Sequence, residues 1–175
     1  CISFSYIEFI PSRKIKWGSY SQIDCELRLL KAAAHKNYDY YHLISGVDMP
    51  LHTIPEMDAL LIQNMGKDYV HFDKSKVDQS IKERIQFYHI MPGRKQWQKK
   101  LNGLFVHVQR WLKVDRLKGS NIVIQKGANW FSITDRLVKD LLQNEQELKK
   151  RFRWSFCGDE LFLQTYIFNT KNKEF

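Results

Sequence analysis

Cysteine is scarce in this 175-residue chain: Cys1, Cys25 and Cys157 are all there is. The count is odd, no C-x-x-C occurs, and no His/Cys pair stands at zinc spacing. Neither a disulfide framework nor a structural metal centre is therefore expected, and a reducing compartment suits the chain better than an oxidising one. Proline (4) and glycine (8) are too few to make a linker or a low-complexity tract, and no internal repeat is visible, so one domain over residues 1–175 is expected. No apolar run approaches the ~18 residues of a membrane span, and the first ten residues lack a basic leader and a small-residue cleavage site. A cytoplasmic chain is the expectation, with attachment to a membrane surface left open. Because it opens on Cys1 and stops soon after an apolar helical pattern, the sequence reads as a piece of a longer one.

What is present is a globular composition. Residues are 43% hydrophobic and 27% charged, with 11 Phe, 8 Tyr and 5 Trp, which excludes intrinsic disorder. A chain of this length buries ~70% of its unfolded surface, enough for a core without staples. Residues 2–10 alternate apolar and polar as a half-buried strand does. From Ser21, the positions Ile23, Leu27, Leu30 and Ala34 recur at helical spacing, with Ser21 and Asp24 as the cap and an end near Asn37. Residues 38–45 read as a buried strand, and Thr53 to Glu56 form a capping box opening a helix that Gly66 closes. Residues 68–72, 84–91, 122–124 and 130–133 are strand candidates. Residues 97–113 predict a helix with Trp97, Leu101, Leu104, Phe105, Val108, Trp111 and Leu112 on one face. Thr134 caps a helix with Leu137, Val138, Leu141 and Leu142, and a last helix starts near Asp159. Alternating strands and helices favour an α/β layered domain.

Charge is concentrated. The whole chain carries 28 Lys+Arg against 19 Asp+Glu, and residues 82–118 hold ten of the bases against Glu83 and Asp115 alone. On the helix of residues 97–113, Lys99, Lys100, Arg110 and Lys113 lie off the apolar stripe. This is the arrangement of a helix lying on an anionic membrane, and equally of an ordinary solvated face packed on a core by its stripe. No zinc finger, basic zipper or RNA-binding signature accompanies the charge, so nucleic acid is not an expected partner.

The sequence holds no G-x-S-x-G, no P-loop and no G-x-G-x-x-G, which removes the common hydrolase and nucleotide signatures. Two acidic positions at element boundaries remain. Asp48 follows a strand where open α/β sheets bind ligands, and it is also an ordinary turn residue. Asp159 and Glu160 stand at a helix start, where acids satisfy free N–H groups without any catalytic role. Trp154, Phe156, Cys157, Leu161 and Phe162 flank them, so one of the two carboxyls could be desolvated into a general base.

Four runs carry a resemblance: Trp17 to Ser21 (WGSYS), Tyr41 to Leu51 (YHLISGVDMPL), Lys126 to Thr134 (KGANWFSIT) and Cys157 to Thr165 (CGDELFLQT). Their order over residues 17–170 resembles the core-2/I-branching β-1,6-N-acetylglucosaminyltransferases and the related peptide O-xylosyltransferases, and a bacterial member fits best. The resemblance implies a GT-A type fold with a mixed sheet, a UDP-sugar donor, a glycan or glycolipid acceptor, and an inverting transfer of N-acetylglucosamine that needs no metal ion. The chain contains no Asp-x-Asp, the metal motif of other GT-A enzymes. By the same resemblance Glu160 is the base, Asp159 caps and orients it, Ser45, Gly46 and Asp48 border the donor sugar, and Gly127, Asn129 and Trp130 wall the site. A xylosyl- or other hexosyltransferase, and a catalytically silent basic domain docked on anionic membrane, are the alternatives. Departures from the family are Gly158 where many relatives carry Pro, few basic residues (Lys171, Lys173) after the Asp-Glu helix to neutralise the departing diphosphate, and little sequence before Trp17 for the nucleotide-binding half. Weak or no activity of the isolated piece is expected from these.

Overall fold

Ile23, Leu27 and Leu30 turn one side of helix α1 (Ser21–Ala34) into the core, and none is more than 5% exposed. The structure, a computed structural model, describes residues 7–74 and 77–171. The cap of α1 differs from expectation. Tyr20 occupies the N-cap position, Ser19 Oγ accepts from the Ser21 N–H at 3.3 Å, and Asp24 is taken by Arg13 at 2.6 Å. Of the strand expected over residues 2–10, residues 2–6 lie outside the described part. Residues 7–10 form no strand, and Phe9 is 91% exposed.

Strands β1 (Tyr40–Leu43), β2 (Tyr69–Val70) and β3 (Phe131–Thr134) make a sheet of order β1-β3-β2. Both pairings are antiparallel, with Tyr41 opposite Ile133 and Leu43 opposite Phe131. The architecture is thus mixed helix and sheet, but the sheet among the described residues is small and antiparallel rather than mixed. Helix α2 (Ile54–Gln63) opens on the expected capping box, where Glu56 accepts from the Thr53 N–H at 2.9 Å, and Gly66 supplies the positive φ (84°) that reverses the chain after it. Helix α5 (Asp135–Gln143) starts at Thr134, whose hydroxyl accepts from the Leu137 N–H.

Two strand candidates are satisfied by partners other than a neighbouring strand. Residues 84–86 are the last turn of helix α3 (Gln79–Gln86), which Asp78 caps by accepting from the Ile81 N–H. Past it, Gln109 accepts from the Tyr88 N–H at 2.8 Å and donates to the Tyr88 carbonyl at 2.9 Å. Residues 122–124 and their neighbours run along helix α7 (Phe162–Lys171). There Asn169 accepts from the Val123 N–H and donates to its carbonyl, and Thr165 does the same for Gln125. Each pair imitates a ladder step, so the extended segment is held without a sheet.

Helix α7 is the centre of the molecule. Phe162, Leu163, Gln164, Thr165 and Tyr166 are at most 1% exposed; Gln164 Nε2, Thr165 and Tyr166 are hydrogen bonded, while Gln164 Oε1 has no partner among the described residues. Helix α6 (Glu145–Phe152), not foreseen in the sequence, adds Leu148 and Phe152 to the same core, the latter ring edge-on to Phe162. Helix α4 (Gln96–Trp111) behaves differently: its apolar stripe faces outward. Leu104 is 62% and Trp111 77% exposed, while the side against the body carries Asn102 and the buried Gln109. The reading of the stripe as a core-packed face is therefore overturned.

Candidate active site

The four motif runs, far apart in the sequence, meet. The Cys157 N–H donates to the Gly18 carbonyl at 2.9 Å, and Trp17 stands edge-on to Phe156 with centroids 5.5 Å apart, which joins the first run to the last. The Gly127 N–H donates to the Glu160 carbonyl at 3.0 Å, which joins the third to the last. The second and third pair directly as β1 and β3. Two glycines make the closeness possible. A Cβ on Gly18, at φ 73°, would lie 2.9 Å from the Phe156 ring, and one on Gly127 would collide with the His71 carbonyl oxygen.

The last run turns sharply. Cys157 adopts a left-handed backbone (φ 47°), then Gly158–Glu160 forms one 3-10 turn ahead of α7. A Cβ on Gly158 would collide with Ser155 Oγ and lie 3.1 Å from Ile23, so a side chain there would force a shift. The turn sends the two acids opposite ways. Asp159 goes inward, 6% exposed, and Oδ2 accepts from Gln22 Nε2 at 2.8 Å, while Oδ1 is buried without a hydrogen-bond partner among the described residues. Burial raises its pKa above the ordinary carboxylate value, opposed in part by nearby backbone N–H groups. Glu160 goes outward, its side chain 40% exposed, with Oε2 held at 2.9 Å by Arg84 from α3. The desolvated carboxyl anticipated at this position is therefore Asp159 and not Glu160.

Asp159 has an acidic neighbour. Glu26, one turn beyond Gln22 on α1, is 7% exposed with Oε2 unpartnered among the described residues, and burial, then the charge of Asp159, raises its pKa well above the usual range. The same surroundings push the buried Cys157 thiol up to about 11, chiefly by desolvation, which favours the protonated thiol at neutral pH.

The remaining candidates are spread along the sheet end. β1 leaves the sheet at Leu43 beside the point where β3 enters at Phe131, which puts the loop carrying Ser45, Gly46 and Asp48 at the same end as Asn129 and Trp130. In an antiparallel sheet both ends carry strand carboxyl ends, so the strand-end argument does not single out Asp48. It accepts from the Ser45 N–H at 2.6 Å as a turn residue does, and among the described residues neither it, Ser45 nor Gly46 bonds to Glu160 or Gly127. Trp130, 46% exposed, lines an open hollow of about 580 Å³ with Tyr69, His71 and Phe131. Gln164 braces the wall from below, donating to the Ala128 carbonyl at 2.7 Å and the His71 carbonyl at 3.1 Å.

The profile of the core-2/I-branching enzyme family matches residues 2–174. The chain belongs to that family. A search of curated proteins gave no match. Membership in the core-2/I-branching enzymes carries glycosyltransferase chemistry, with a nucleotide-sugar donor and a glycan acceptor. Among the described residues no helix is long and apolar enough to cross a membrane, and no three His, Cys, Asp or Glu side chains gather as a metal group.

Sequence reasoning missed Arg84, Gln22, Glu26 and Gln164. Arg84 was hidden in a segment that looked like a strand, although Asp78 followed by Ile81 and Ile85 is a capped helical pattern. The Glu26 position yields a pH prediction for this core-2/I-branching chain. Its carboxyl titrates higher folded than unfolded, so across that window the folded chain binds more protons and stability falls as pH rises. Glu26→Gln should therefore raise Tm near neutral pH, and the gain over the parent should shrink toward zero as pH drops to about 4. Thermal melts of both proteins across that range check this; a pH-independent difference contradicts it.

Proposed function

We propose that the chain is the catalytic domain of an inverting, metal-independent transferase of GT-A type that moves N-acetylglucosamine from a UDP-sugar to a glycan hydroxyl. The observation that carries this reading is that the first and third runs are bonded to the turn of residues 157–160, and the second to the third through the sheet, with Glu160 the acid of that turn whose carboxylate reaches the surface. In the reaction, Glu160 accepts the proton of the acceptor hydroxyl while that oxygen bonds to the anomeric carbon from the face opposite the diphosphate. The bond from that carbon to the phosphate oxygen breaks, and UDP departs with the electron pair, which inverts the configuration in one displacement.

Arg84 supports the role in a definite way. A guanidinium on one carboxylate oxygen fixes the side chain, leaving Oε1 with no hydrogen bond to the described residues. Asp159 is a positioning residue, anchored through Gln22 so that the turn presents Glu160. Ser45, Gly46 and Asp48 on one side, and Gly127, Asn129 and Trp130 on the other, border the sugar, with the indole of Trp130 offering an aromatic face.

Competition among UDP-sugars in a donor hydrolysis assay tests the donor: UDP-N-acetylglucosamine should be preferred, and a preference for UDP-xylose would replace it. Chelation should leave turnover within twofold, about the scatter of such an assay, because no Asp-x-Asp is present to hold a metal-bound diphosphate. A strict requirement for manganese would contradict the mechanism.

A further inference from the structure

Helix α4 is built inside out, and its outer face has an unusual combination of properties. Its inner side is fastened by polar groups: Gln109 bonds both backbone groups of Tyr88, and Asn102 bonds the His89 ring at 3.0 Å. The whole apolar stripe is thereby turned to solvent, from Trp97 (49% exposed) in the first turn to Trp111 (77%) in the last. Large apolar side chains gathered on one exposed face mark an interaction site. Beside the stripe, Leu101, Leu104, Phe105 and Val108 face Ile90 and Met91 across an almost wholly apolar hollow of about 330 Å³. The helix contains Lys99, Lys100 and Arg110 and no acid, and Arg94, Lys95 and Lys113 flank it.

We propose that α4, together with Ile90 and Met91, docks the protein on an anionic lipid surface. The charge chooses among occupants. A second copy would bring two equally basic faces together, which costs repulsion, whereas anionic headgroups attract the lysines while the stripe enters the acyl boundary. An apolar, open hollow with a tryptophan near each end of the stripe suits acyl chains below and headgroups above. The inference is independent of the proposed transfer reaction and is tested without donor or acceptor.

The test is co-sedimentation of the full chain with vesicles of phosphatidylcholine alone and of phosphatidylcholine with one third phosphatidylglycerol, at low and high salt. Two double variants accompany it, Lys99→Gln with Lys100→Gln and Leu104→Ser with Trp111→Ser. All four positions are exposed, so circular dichroism should be unchanged. The expected result is binding to the anionic vesicles that weakens with salt, falls roughly tenfold or more in the lysine variant, and drops to background in the apolar one. Equal binding to both vesicle types, no binding to either, or binding untouched by the variants would overturn the proposal. So would a concentration-dependent dimer that leaves the vesicles unbound.

Discussion

Glu160→Gln in the complete protein should lower kcat by about 10²–10⁴-fold, the usual contribution of a positioned general base, with the donor KM little changed. The substitution is nearly isosteric, and the amide oxygen can still accept from Arg84, so the turn before α7 should persist. The lost ion pair lies between groups 27% and 40% exposed and costs little in stability. The inward acid provides the control. Asp159→Asn keeps an acceptor for Gln22 and changes a carboxyl that the fold already hinders from ionising, so turnover should stay within about tenfold of the parent. Steady-state kinetics on both variants separate the roles. If Asp159→Asn abolished transfer and Glu160→Gln did not, the base would have been assigned to the wrong carboxylate.

Gly127→Ala should be the most damaging single methyl in the molecule. Its Cβ would overlap the His71 carbonyl oxygen and lie 2.8 Å from Gln164 Nε2, and that carbonyl is itself an acceptor for Gln164 at 3.1 Å. Backbone cannot yield as a flexible side chain can. The segment must move away, and the bond from the Gly127 N–H to Glu160 at 3.0 Å is the first to go. Overpacking of this kind costs about 1–3 kcal/mol, a fall in Tm of roughly 3–10 °C for a chain of this size. Gly46→Ala is the matched control, because nothing lies within 4 Å of a Cβ there. Thermal melts of the two variants decide the matter; equal effects would mean that residues 126–130 are not clamped against His71 and α7.

Elements whose boundaries are set by their own side chains were legible in the sequence. Thr53 with Glu56, Thr134, and the stripe Ile23, Leu27 and Leu30 act locally, and α2, α5 and α1 start or face as that chemistry dictates. Segments satisfied by distant partners were not. At Tyr88 and residues 123–125, Gln109, Asn169 and Thr165 supply what a strand would have, and nothing near them announces it. Helix α6 has only Leu148 and Phe152 as buried anchors, too little periodicity to stand out. For α4 the spacing predicted a helix and its apolar stripe, but not that Asn102 and Gln109 would decide which side meets the body. The site shows the same division. Adjacent acids are visible in the sequence, but which of them is buried depends on a left-handed Cys157 and on Gln22 more than a hundred residues away.

The most direct measurement of the central claim is a crystal structure of the complete protein with UDP-N-acetylglucosamine bound. The sugar should lie between Trp130 and the loop of Asp48, with the free oxygen of Glu160 facing the side of the anomeric carbon opposite the diphosphate. Donor density away from this end of the sheet, or a Glu160 carboxylate on the same side as the leaving phosphate, would contradict the account.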